Sequence, residues 1–128
     1  MALRVSKAVF AELVERAIDE LPDQFAAALE ELPIEIRDRA TPRERKKAGV
    51  KGNDLLLGLY HGVALTQRTV ETPDWAPLPA VIYIFQDDIE QVSNSEAELI
   101  DQVRTTVLHE IGHHFGLDED DLEELGYQ

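Results

Sequence analysis

Apolar residues recur at helical spacing in the first part of the chain. From Val9 to Leu21 they fall three and four positions apart, and Ser6 precedes them as a candidate N-cap. This period predicts an amphipathic helix that begins after Ser6. Pro22 ends that helix and suits the start of another, so residues 23–32 are expected to form a short second helix.

Three short segments predict β-strands. Residues 34–37 alternate apolar and charged side chains, which is typical of a half-buried strand. Residues 55–60 and 80–85 are rich in leucine, aromatic and β-branched side chains and are bounded by turn residues, which also indicates strands. The proline-containing stretch 61–79 is interpreted as an extended loop, in which residues 63–65 could form one more short strand.

A second long helix is predicted after residue 95. Ser93 and Ser95 each have a glutamate three positions later, which is the capping-box spacing. One stripe of this helix carries an apolar residue at every fourth position, namely Leu99, Val103, Val107 and Ile111. Gly116 suits the position just past the helix, and residues 117–128 are expected to add a short tail helix. The predicted fold class is α+β, with helices packed on a small mixed sheet in one domain, residues 1–128.

Composition excludes several classes of protein. The chain has 128 residues, of which 44% are hydrophobic and 30% charged, as in ordinary globular domains. Its longest apolar run, residues 80–85, is far shorter than the roughly 20 residues of a membrane-spanning helix. Glu12 and Glu15 interrupt the region where a secretory signal would be apolar, so we expect a cytoplasmic protein. Because cysteine is absent, any metal must be held by His, Asp or Glu.

Charge is distributed unevenly along the chain. The formal net charge is −14, which disfavours binding to nucleic acid and to anionic membranes. Residues 37–51, interpreted as a loop, nevertheless hold seven of the 12 basic residues and only two acids. Two hypotheses fit this segment: it contacts phosphate groups of a structured RNA, or it is a mobile surface loop, which we favour.

Residues 109–113 read His-Glu-Ile-Gly-His and form the HExxH pattern. On a helix, side chains four positions apart lie on one face, so His109 and His113 can reach one ion with bonds of about 2.0 to 2.1 Å. Glu110 faces the same opening and can accept a proton from water. Counted from His109, position eleven is Glu119, whose carboxylate would complete a set of three ligands. The alternative is an exposed polar helix face that binds nothing.

The motif and its surroundings resemble a known family. Residues 106–127 are similar to the small bacterial zincin-like metallopeptidases called minimal zincins, and so are residues 55–66 and 78–90. The resemblance implies a trimmed zincin core around one zinc ion. It also implies that His109 and His113 are zinc ligands and that Glu110 is the general base.

The third ligand departs from the family pattern. Family members show HExxHxxGxxD, whereas this chain has Glu119 at the last position and Asp118 one residue earlier. We predict Glu119 as the ligand because it keeps the register, with Asp118 as the second choice. Metzincins have a histidine at the last position of the motif and a methionine turn beneath the site, but the single methionine here is Met1. Gluzincins take their third ligand from a separate later helix, for which few residues remain after His113.

These features predict a zinc-dependent metallopeptidase that acts on a peptide or protein substrate. We expect the substrate to lie extended beside strand 80–85, at a free edge of the sheet. Candidate donors to the developing oxyanion are Tyr60, His61, His114 and Tyr127. Two alternatives stay open: a zinc-binding interaction module with weak or no catalysis, and a metal-dependent RNA hydrolase that uses the basic segment. The sequence assigns neither substrate-binding residues nor an oligomeric state.

Overall fold

The computed structural model describes residues 3–30, 32–62 and 80–115. Within these ranges the fold is α+β, as predicted, with five α-helices and a three-stranded mixed sheet. The elements in chain order are α1 (Lys7–Asp19), α2 (Asp23–Ala26), a 3-10 helix (Ala27–Glu30), β1 (Ile34–Arg37), α3 (Pro42–Lys47), β2 (Gly58–His61), β3 (Val81–Phe85), α4 (Gln86–Gln91) and α5 (Glu96–His114). None of the helices in these ranges combines the length and the hydropathy of a membrane-spanning segment.

The two long helices form as their sequence pattern predicts. Ser6 caps α1 by accepting a hydrogen bond from Val9 N at 3.2 Å, and Ser95 caps α5 by accepting one from Glu98 N at 3.1 Å. The apolar face of α1 packs against α5 in the core. The stripe predicted for α5 is fully buried, at Leu99, Val103, Val107 and Ile111. Helix α5 is therefore held by the core along most of its length.

The sheet has the strand order β1-β3-β2. Strand β3 pairs parallel with β1 and antiparallel with β2, so both of its edges are occupied. The expectation that a substrate adds to a free edge of strand 80–85 is therefore wrong. Within the described ranges, the strand beside the helix that carries HExxH and with an unpaired edge is β2. The apolar content of residues 80–85 is typical of a strand buried in the middle of a sheet, and β3 occupies that position.

The short elements differ from the sequence prediction. The second helix is α-helical only at Asp23–Ala26 and continues as a 3-10 turn to Glu30, because so short a segment ahead of Pro33 gains little from propagation. Strand β2 begins at Gly58, three residues later than predicted, and ends at His61. Helix α4 was not predicted; it follows β3 directly and buries Ile89.

The basic segment is not simply a loop, because it contains helix α3. Thr41 accepts a hydrogen bond from Glu44 N at 3.1 Å, and the Glu44 carboxylate accepts one from Thr41 N at 2.9 Å. Pro42 occupies the first helical position, where proline is favoured. Thr41 and Glu44 have the capping-box spacing, which indicates the start of a helix at this position.

Candidate metal centre

Three side chains of α5 form a cluster that could hold a metal ion. One potential ligand atom of each of His109, Glu110 and His113 lies within 4.8 Å of the other two. The two imidazole rings have centroids 5.0 Å apart and are inclined at 71°. The His113 side chain is 46% exposed, whereas that of Glu110 is only 8% exposed. The cluster therefore opens to solvent at His113 and is closed behind Glu110.

The Glu110 carboxylate is held by the sheet as well as by its own helix. Its Oε1 atom accepts a hydrogen bond of 2.7 Å from Tyr60 N, in strand β2, and lies 3.2 Å from His113 Nδ1. Phe85 N donates a hydrogen bond to Leu57 O. In an antiparallel pair, the backbone groups of successive residues point alternately toward and away from the partner strand. Those of Tyr60, three residues after Leu57, therefore point away from β3. The carboxylate thus lies at the outer edge of β2, between the strand and the second histidine.

One stripe of α5 faces β2 over two helical turns. Thr106, Glu110 and His114 are spaced by four, and all three are buried. The Tyr60 hydroxyl lies 3.0 Å from His114 Nδ1, so the same tyrosine contacts α5 through its amide and through its side chain. A Cβ atom placed on Gly58 would come within 2.5 Å of Thr106 Cγ2 and 3.0 Å of Tyr83 O. Glycine at position 58 therefore lets the helix approach the strand closely enough for these contacts.

Replacement of Gly58 by alanine is expected to lower the free energy of unfolding by about 1–3 kcal/mol, the usual cost of overpacking. The added methyl group would press on the Thr106 side chain and on the backbone of β3. Urea unfolding followed by circular dichroism measures the change. A Gly58→Ala/Thr106→Ser double variant removes the methyl group of the threonine and should recover part of the loss. Equal stability of Gly58→Ala and the unmodified chain would contradict this account of the close approach.

The other residues predicted for the site lie either away from the candidate metal cluster or outside the described ranges. Side chains alternate along a strand, and Tyr60 faces α5, so His61 lies on the opposite face of β2 from Glu110. The centroid of the His61 ring lies 6.2 Å from that of Tyr83. His114 is buried against Tyr60 and is not part of the candidate metal cluster. The remaining predicted residues lie outside the described ranges, namely Gly116, Asp118, Glu119 and Tyr127.

A scan against protein families matches residues 29–127 to the family described as zincin-like metallopeptidase. This match covers more than three quarters of the chain and includes the sheet, α5 and the HExxH motif. The chain belongs to the zincin-like metallopeptidase family. A comparison with curated proteins gave no significant match. The family resemblance predicted from residues 106–127, 55–66 and 78–90 is thereby confirmed.

The donor set of this zincin-like metallopeptidase suits zinc. Two imidazoles on one helix face, with a carboxylate close by, are nitrogen and oxygen ligands of the kind that zinc binds. Exposure of His113 provides a route for a metal and for water. The cluster therefore fits the metal that the family implies.

Two contributors to the site of this zincin-like metallopeptidase were missed by sequence reasoning. The backbone amide of Tyr60 carries no sequence signal of its own, since every residue except proline has one. Gly58 is recognisable only as a glycine inside a strand, a pattern that indicates close approach of another chain segment. That signal was present in residues 55–60, and the structure shows its cause in Thr106.

Proposed function

We propose that this zincin-like metallopeptidase is a zinc-dependent enzyme that hydrolyses peptide bonds, with Glu110 as general base. The observation that carries the proposal is the position of the Glu110 carboxylate, which is buried, 2.7 Å from Tyr60 N and 3.2 Å from His113 Nδ1. A general base must lie within hydrogen-bond reach of the water that it deprotonates. At this position the carboxylate lies beside both the strand edge and the candidate ligands.

Two residues on α5 and one beyond it would hold the zinc ion. His109 and His113 offer imidazole nitrogens from one face of the helix. We propose Glu119 as the third ligand because it occupies the position that the family pattern reserves for a carboxylate, with Asp118 as the second choice. Zinc supplies Lewis acidity, through which water becomes a nucleophile near neutral pH.

Glu110 carries the proton through the reaction. It accepts a proton from the attacking water as the water oxygen bonds to the carbonyl carbon of the peptide. It returns that proton to the amine nitrogen as the carbon–nitrogen bond breaks. The Tyr60 amide holds the carboxylate in place during both transfers, and the contact between Tyr60 Oη and His114 Nδ1 keeps β2 against the helix.

The experiment that tests the proposal is digestion of a peptide library by the zinc-loaded chain, with products identified by mass spectrometry. We expect cleavage that stops when a chelator removes the metal and returns when zinc is restored, because loss of the metal removes its Lewis acidity. A parallel digest in magnesium without zinc controls for non-specific effects of a divalent cation.

The library digest can also support the alternative function, a zinc-binding interaction module with weak or no catalysis. If the chain binds one zinc ion tightly but cleaves no member of the library under any condition, the peptidase proposal is overturned. Cleavage that persists in full after the metal has been removed would indicate a contaminating protease of another class.

A further inference from the structure

A cavity of about 420 Å³ lies on the face of the sheet opposite α5. Its floor is formed by Leu59 of β2 and Tyr83 of β3, whose side chains are neighbours in the antiparallel register. His61 borders it on the strand, and Arg43 and Lys47 border it from α3. The cavity therefore combines an apolar floor with a rim of basic side chains.

The positive charge of this rim is not neutralised within the described ranges. Arg43 and Lys47 are exposed, lie four residues apart on one face of α3, and take part in no ion pair in those ranges. Glu44 is the acid in the lining, but its carboxylate is 2.9 Å from Arg37 Nη1 and also accepts the Thr41 amide hydrogen bond. The cavity thus retains an excess of positive charge in a chain whose net charge is −14.

The cavity and the candidate metal centre share strand β2. Leu59 and His61 flank Tyr60, so the two sites lie on opposite faces of the same three residues. A peptide extended along the outer edge of β2 would pass Glu110 with its backbone. Its alternate side chains would point to the face that carries the cavity, about 5 Å from Leu59 or His61.

We infer that this cavity selects substrates by binding an acidic side chain of the extended peptide, next to the bond that is cleaved. This inference rests on the proposed function and adds a substrate class to it. Arg43 and Lys47 attract the carboxylate, while Leu59 and Tyr83 contact the methylene groups of the side chain. Because the floor is apolar and the charges lie at the rim, glutamate fits better than the shorter aspartate.

The affinity for a peptide can be measured without cleavage, so it tests the cavity independently of catalysis. The zinc-loaded Glu110→Gln variant is titrated into a fluorescein-labelled peptide with glutamates at alternate positions, and into the same peptide with glutamines. Fluorescence anisotropy should show about two- to fivefold tighter binding of the glutamate peptide, within the range for exposed ion pairs. The preference should shrink as the salt concentration rises from about 50 mM to about 500 mM.

Two double variants assign the preference to the cavity. Arg43→Gln/Lys47→Gln, made in the Glu110→Gln background, should abolish the preference for glutamate. Lys46→Gln/Lys51→Gln removes the same charge from the same basic segment but not from the cavity lining, and should retain it. An equal loss in both double variants would show a general electrostatic effect and overturn the inference.

Other outcomes distinguish the inference from the proposed function. Equal affinity for both peptides, or no binding of either, overturns the cavity as an acidic subsite even if the unmodified chain cleaves peptides. Selective binding without any cleavage in the library digest supports the cavity and rejects the peptidase. If a single-stranded RNA oligonucleotide competes for Arg43 and Lys47 more strongly than the glutamate peptide, the cavity is a phosphate-binding surface and the inference fails.

Discussion

Replacement of Glu110 by glutamine is expected to lower the rate of peptide cleavage by about 10²- to 10⁴-fold, the usual contribution of a general base. The variant is nearly isosteric, and its amide oxygen can still accept the hydrogen bond from Tyr60 N. The amide cannot take a proton from water near neutral pH, so proton transfer should fail while the fold persists. The measurement is kcat/KM on a library-derived peptide.

Zinc content is the control for this variant. Glu110→Gln should still bind one zinc ion per chain, because the proposed ligands are His109, His113 and a carboxylate beyond α5. Unimpaired cleavage with a full complement of zinc would show that Glu110 is not the base. Loss of zinc together with activity would instead place Glu110 among the ligands, a role that its presence in the cluster allows.

Replacement of His113 by alanine is expected to weaken zinc binding by more than about a hundredfold, since changes even to outer partners of a ligand cost 10- to 100-fold. The purified variant should therefore contain almost no zinc by elemental analysis, whereas the unmodified chain should contain one ion. Its stability should change little in the absence of metal, because the His113 side chain is 46% exposed and outside the core.

His114 provides the matched control for the zinc measurement. His114→Phe alters the adjacent histidine, which contacts Tyr60 and lies outside the candidate cluster, so its zinc content should stay at one ion. In the same assay, Glu119→Gln and Asp118→Asn identify the third ligand as the one whose replacement weakens zinc binding more. A His113→Ala chain with unchanged zinc affinity would rule out the ligand pair on α5.

The long helices and the ligand pair follow from local sequence. The capping residues Ser6 and Ser95 and the apolar period after each specify a helix without reference to the rest of the chain. Once α5 is helical, the spacing of His109 and His113 places both imidazoles on one face. For these features the sequence information is sufficient, because the relevant interactions span no more than four residues.

The surroundings of the ligand pair depend on contacts between distant segments. Tyr60 and Glu110 are 50 residues apart in sequence. Their hydrogen bond uses a backbone amide, which the residue type at position 60 does not indicate. Strand order is a property of the whole sheet, so the pattern within residues 80–85 does not determine which strand has a free edge. The cavity likewise joins α3, β2 and β3, although the excess of basic residues that borders it was evident in the sequence.

The contact between Tyr60 and Glu110 can form only when β2 docks on α5. A fragment containing α5 alone could present the two imidazoles, but its carboxylate would have no strand against which to be fixed. Long-range contacts carry the largest loop-closure cost and form late when local helices form early. Cleavage activity should therefore develop during refolding more slowly than helical circular dichroism, and with the same time course as docking of β2 on α5.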